Sequence, residues 1–215
     1  MTGYRILMAI TILLLAGVVP FFLKAGWPKK TKKSLLLKMI CSTLFILVGV
    51  LSILLAGRFS HYALWILCGL GFSWLGDFFL HVSSKMLYFL LGLFSFLTAH
   101  IFYVVAFCTA LQKTFPEAGF FNPYECLCIA AVVIIGLVTM MVKASSLGIR
   151  CLIAGTPLCG AAAAVLIVGS LCFVLSDATL AMLNFGPKKT FPLKCFNIGT
   201  YYAAQVLLAS TILFF

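Results

Sequence analysis

An all-α, polytopic membrane bundle of about eight helices is the fold class this sequence predicts, and three observations predict it. Of 215 residues, 64% are hydrophobic and 9% are charged. The mean hydropathy is +1.22, and the apolar residues gather in long runs separated by short basic loops. A soluble domain carries roughly a quarter charged residues, so this chain lacks the polar surface to cover a water-facing globule. A helix needs about 20 apolar residues to cross the hydrocarbon, and eight crossings leave about 55 positions for loops and tails. Residues 1–215 therefore read as one integral membrane domain, in which any chemistry uses side chains inside the bundle or at its rim.

The first run, about Tyr4 to Leu23, is too long for a signal-peptide core and has no small-x-small cleavage site before Lys24, so it reads as a retained helix. The linker Lys24 to Lys33 holds five lysines in ten residues beside Trp27, which marks it as cytoplasmic and puts the N-terminus outside or lumenal. Runs at about Ser34–Ala56, Tyr62–Leu80, Met86–Leu111 and Tyr124–Val142 follow, separated by Gly57-Arg58, Ser83-Ser84-Lys85, Phe115-Pro116 and Asn122-Pro123. The stretch from about Leu147 to Phe185 would make a helix of about 55 Å, well beyond the hydrocarbon thickness. It reads as two helices broken near Gly155-Thr156-Pro157. The loop Gly186 to Lys194 leads into a last run from about Cys195 to Phe214.

The formal charge of +11 comes from 15 Lys plus Arg against 4 Asp plus Glu. With eight crossings, twelve basic residues fall on the cytoplasmic side and only Arg5, Arg58 and Lys113 outside; seven crossings would give nine and six. The charge is thus a topology signal, and no nucleic-acid partner is expected. Nine cysteines, mostly within apolar runs, argue against a disulfide framework, and Cys126-x-Cys128 has no second pair to make a metal site. No structural metal and no cofactor are expected. The lack of an Asn-x-Ser/Thr sequon and the short loops favour a bacterial inner membrane over the endoplasmic reticulum.

Glu117 and Glu125 belong to a loop and its edge, whereas Asp77 and Asp177 fall within spans. A carboxylate at depth costs several kcal/mol unless it is paired, hydrated or protonated, so each aspartate is a candidate site; the bland alternative is an ion pair or cap locking two helices. In an eight-helix topology both lie at similar depth on the cytoplasmic side. Two such carboxylates can divide acid and base roles. Ser73 and His81 flank Asp77 at helical spacing, and His100 and Tyr103 share the fourth run. Tyr201, Tyr202 and Gln205 lie early in the last helix, where a tyrosine alone would often be an interfacial anchor. His61 and His81 read as loop-edge residues, and Gly69, Ser73 and Gly76 as close helix-packing positions.

Four segments in order carry a resemblance: Gly76-Asp77-Phe78-Phe79-Leu80, His100-Ile101-Phe102-Tyr103, Ser176-Asp177-Ala178-Thr179-Leu180-Ala181 and Thr200-Tyr201-Tyr202-Ala203-Ala204-Gln205. Over about residues 71–209 the chain resembles the YhhN lysoplasmalogenase family. That resemblance implies an eight-helix membrane hydrolase that cleaves the vinyl ether bond of a lysoplasmalogen, releasing a fatty aldehyde and glycerophosphocholine or glycerophosphoethanolamine. It places Asp77 and Asp177 at the catalytic positions.

A vinyl ether hydrolyses by proton delivery to its β-carbon, followed by water capture of the oxocarbenium ion. One aspartate would be the acid, and the other, ionised, would steady the cation and align the water; the sequence leaves open which is which. His100, Tyr103, Ser176, Tyr201, Tyr202 and Gln205 are the candidate substrate-binding residues, and Lys85, Lys188 or Lys189 would attract the lipid phosphate at the rim. The expected partners are the lysophospholipid, water and membrane lipids. The competing function is a proton-coupled transporter in which the same two aspartates carry protons.

Overall fold

A computed structural model describes residues 2–114, 157–186 and 189–215, all helical apart from short connections. The described helices are α1 (Thr2–Ala25), α2 (Lys32–Ala56), α3 (His61–Val82), α4 (Met86–Thr114), α5 (Pro157–Phe185) and α6 (Phe191–Ser210), with a closing 3₁₀ turn at Thr211–Leu213. Among the described residues, α1 to α5 contain the five helices long and apolar enough to cross a membrane. The expected run at 124–142 and the start of the one at 147–185 lie outside the described residues. The expected break near Gly155-Thr156-Pro157 falls at the edge of the described residues, which resume at Pro157.

Local chemistry sets the helix ends. Thr31 caps α2 in a reciprocal capping box with Ser34, and Gly57 closes it at φ +65°, a left-handed conformation glycine adopts without steric cost. Ser60 caps α3 by accepting from the Ala63 N–H, and Thr190 caps α6 ahead of Pro192. The last run differs from expectation. Its helix begins at Phe191 and tightens to 3₁₀ after Ser210, and it is not among the five span-like helices. Lys194, Asn197, Thr200, Tyr201, Tyr202 and Gln205 dilute its apolar character because it lies inside the bundle.

Helix α6 touches α1, α2, α3 and α5, while α3 packs chiefly on α4. The core between them contains Phe22, Phe45, Leu70, Tyr103, Phe107, Leu166, Phe173 and Leu208, all essentially inaccessible. The outside carries large exposed apolar side chains such as Leu13, Phe21, Leu36, Met86 and Phe94. Lipid tolerates that surface and water penalises it.

Close approach of α3 to α4 depends on missing side chains. A Cβ at Gly69 would overlap the Tyr103 ring, and one at Gly76 would lie 2.7 Å from the Phe96 ring. Both glycines thus act as the packing positions their spacing suggests. We expect Gly69→Ala to destabilise the bundle by about 1–3 kcal/mol through overpacking, read as a lower thermal midpoint in detergent. An unchanged midpoint would mean that the Tyr103 ring gives way freely.

Candidate active site

Three helices carry polar residues at four-residue spacing, which places each set on one face. On α2 these are Ser34, Lys38 and Ser42; on α3 they are Ser73, Asp77 and His81; on α6 they are Asn197, Tyr201 and Gln205. The α2 and α3 stripes meet in antiparallel register. Ser34 Oγ lies 2.7 Å from His81 Nε2, and Lys38 Nζ lies 3.0 Å from Asp77 Oδ1.

Asp77 is used entirely as an acceptor. Beside Lys38, the Tyr201 hydroxyl donates to Oδ2 at 2.8 Å, and Ser42 Oγ lies 2.5 Å from the same oxygen. Ser42 has one proton and also lies 3.0 Å from the Lys38 carbonyl; the shorter, charge-assisted contact to the carboxylate takes it. The side chains of Lys38 and Asp77 are 9% and 2% exposed, so the pair is buried. Lys38 is therefore not one of the loop cations with which its sequence position groups it. His81 stands at the loop edge, in the last turn of α3, yet it is buried beneath the basic end and hydrogen-bonded to Ser34.

Asp177, at 22% side-chain exposure, sits in a different environment. His100 Nδ1 lies 2.6 Å from the Phe96 carbonyl oxygen, which only accepts, so Nδ1 carries a proton. The other ring nitrogen, Nε2, lies 3.3 Å from Asp177 Oδ2 and has no aligned hydrogen bond among the described residues. A neutral imidazole with its proton on Nδ1 presents a lone pair at Nε2, which would face a lone pair of an ionised carboxylate. Attraction across that gap requires a second proton, on Nε2 or on the carboxyl. The edge-to-face contact of His100 with Phe173, 4.6 Å between centroids, holds the ring in place.

Asp77 and Asp177 line one cleft of about 30 Å³ together with Lys38, Phe96, Ser176 and Tyr201. That space admits a water molecule or two. Ser176 is tied to Asn197: its carbonyl accepts from Asn197 Nδ2 at 2.7 Å, and the two side chains are 3.2 Å apart. This clamp fixes α5 against α6.

The remaining candidates form a layer behind the cleft. Tyr103 donates to Gln205 Oε1 at 2.8 Å and lies 3.3 Å from Ser73 Oγ. Tyr202 packs against Phe45 and Tyr201. Gln205 Nε2 is buried with no hydrogen-bond partner among the described residues, and the Tyr202 hydroxyl is buried beside Ser42 and Cys41. Lys38, Ser42 and Asn197 are the site residues that reading the sequence missed, although their four-residue spacing to Ser34 and Tyr201 was a visible signal. Among the described residues no group of three or more metal-ligating side chains converges. A larger cavity of about 370 Å³ near Arg58, His61 and Lys113 has no carboxylate side chain among the described residues of its lining.

The YhhN family model matches residues 33–212, which takes in both aspartates and every residue of the cleft. The chain belongs to the YhhN family. It is 32% identical over 193 residues to the human protein lysoplasmalogenase TMEM86A (Homo sapiens), covering 80% of this chain and 74% of that one. No solved structure matches this member of the YhhN family. With its apolar helices and its membrane-enzyme relative, the chain is an integral membrane protein.

Proposed function

We propose that this YhhN protein hydrolyses the vinyl ether bond of a lysoplasmalogen, with Asp177 and His100 supplying the proton and Asp77 acting as the fixed carboxylate. The observation that carries the reading is the unequal bonding of two carboxyl groups in one cleft. Asp77 accepts from Lys38, Ser42 and Tyr201, whereas Asp177 faces an imidazole nitrogen across a contact that is favourable only with a proton in it. The family and the lysoplasmalogenase relative support the same chemistry.

The steps follow from that inequality. The proton held between His100 and Asp177 passes to the β-carbon of the vinyl ether, whose π electrons form the new C–H bond and leave an oxocarbenium ion. The cleft admits the water that adds to this cation. The captured water gives one proton back to the His100–Asp177 pair, and the hemiacetal collapses to a fatty aldehyde and a glycerol hydroxyl. In this reading the Asp77 carboxylate faces the positive charge as it develops, and its three donors hold its oxygens in place.

The test is product analysis on detergent-purified protein with a choline lysoplasmalogen and its saturated alkyl-ether analogue, which gives no oxocarbenium ion on protonation. Free aldehyde is expected from the first lipid alone. No aldehyde from either, in folded protein, overturns the reading and directs attention to proton flux in liposomes. The basic end of the bundle, with Lys30, Lys189 and Lys194, would face the cytoplasm by the positive-inside rule. The membrane would be bacterial inner membrane or, in a eukaryote, endoplasmic reticulum.

A further inference from the structure

A further cavity, of about 220 Å³, adjoins the cleft and shares Lys38, Leu80, Leu180, Asn197 and Ile198 with it. Lys30, Lys189 and Lys194 join Lys38 in its lining, with Trp27 and Asn184. Four ammonium groups thus surround one space, and the only side-chain carboxylates among the described residues are Asp77 and Asp177. Asp77 is already saturated by its donors, and neither aspartate lines this cavity. Lys85, which sequence position favours as a rim cation, is absent from the lining, and Lys188 lies outside the described residues.

Two of these lysines are anchored on backbone carbonyls. Lys30 Nζ donates to the Leu80 carbonyl at 2.6 Å, and Lys194 Nζ donates to the Gly26 carbonyl at 2.5 Å. An ammonium has three donors, so each keeps two for a ligand. Lys194 Nζ also lies 5.6 Å from the centre of the Trp27 ring, which itself packs on Phe191. Burial, then the charges of Lys38 and Lys189, push the Lys30 ammonium below its usual basicity, a penalty that a bound anion would remove.

We propose that this cavity is the headgroup site of the enzyme, receiving the phosphodiester of a glycerophospholipid on Lys30, Lys189 and Lys194 while the chain beyond reaches the cleft past Lys38. The proposal rests on the vinyl-ether reading for its substrate class. Its test uses lipids that cannot react, so binding is measured apart from turnover. In a Trp65→Phe/Trp74→Phe background, Trp27 is the single tryptophan of the three, and its fluorescence reports the cavity directly. A ligand-dependent rise of the thermal midpoint, with all three tryptophans present, is the independent readout.

The probes are a 1-alkyl-glycerophosphocholine, a 1-alkylglycerol of the same chain length, and inorganic phosphate. We expect the phosphate-bearing lipid to bind about tenfold more tightly than the alkylglycerol, as one or two charge-assisted contacts would give. Lys189→Gln should remove that advantage, Lys189→Arg should keep it, and alkylglycerol binding should not change in either. Equal binding of the two lipids in the wild type, or equal loss of both on Lys189→Gln, overturns the proposal. Inorganic phosphate binding as tightly as the lipid would also overturn it, because the site would then recognise the free anion. Lysine-dependent lipid binding without aldehyde release would instead sink the hydrolase reading and leave the headgroup site standing.

Discussion

Asp177→Asn should lower aldehyde release from a choline lysoplasmalogen by about 10²–10⁴-fold, the usual worth of a positioned general acid. The substitution is nearly isosteric, and the amide can still donate to His100 Nε2, so the 3.3 Å approach is retained. What disappears is a proton that can leave. Because that proton is needed only on the way to the oxocarbenium ion, kcat and kcat/KM should fall together while KM stays close to the wild-type value. Asp177 is partly exposed at the cleft, and its replacement should move the thermal midpoint little. Steady-state kinetics with aldehyde detection, paired with a melting curve in the same detergent, checks both halves. Turnover within a few-fold of wild type would remove Asp177 from the chemistry.

Lys38→Met should instead cost stability. Removing one member of a buried ion pair leaves an uncompensated charge and typically costs about 3–5 kcal/mol, whereas replacing both members can be nearly neutral. Asp77 would keep Ser42 and Tyr201 as donors but lose its cation. The double variant Lys38→Met/Asp77→Asn should therefore recover most of the lost thermal stability, since the new amide retains a carbonyl oxygen for the same hydroxyls. It should not recover aldehyde release, because the fixed negative charge beside the developing cation is gone. A double-variant cycle in thermal midpoint measures the coupling, and strictly additive single effects would show that the two side chains act independently.

The two outcomes separate what the carboxylates do. One aspartate is predicted to matter to rate with little effect on stability, and the other to both. A merely structural ion pair at Asp77 would give a double variant that regains turnover along with stability.

Much of this arrangement is legible in the chain itself. Composition and run length suffice for an all-α membrane bundle, because a helix that satisfies its own backbone is one of the few ways to cross hydrocarbon. Asp77 and Asp177 stand out for the same reason, since a carboxylate within an apolar run needs a partner or a purpose. Gly69 and Gly76 are readable as packing positions from their spacing alone.

The partners are not legible, and the cause is physical. Hydrogen bonding and Coulomb energy depend on distance and burial, and the contacts that distinguish the two aspartates join residues far apart in sequence: Ser42 and Tyr201 to Asp77, His100 to Asp177. Lys38 stands five residues after a run of lysines that ends at Lys33, and only the start of α2 at Lys32 and its packing on α3 turn it inward. His81 ends an apolar run, a position that suggests a loop edge, yet the lysine-rich segment folds over it. Sequence determined that this protein is a membrane helix bundle with two anomalous carboxylates. The tertiary structure alone decided that one of them is saturated by a buried lysine and two hydroxyls while the other faces an imidazole nitrogen, because only packed helices fix which donors reach which oxygen.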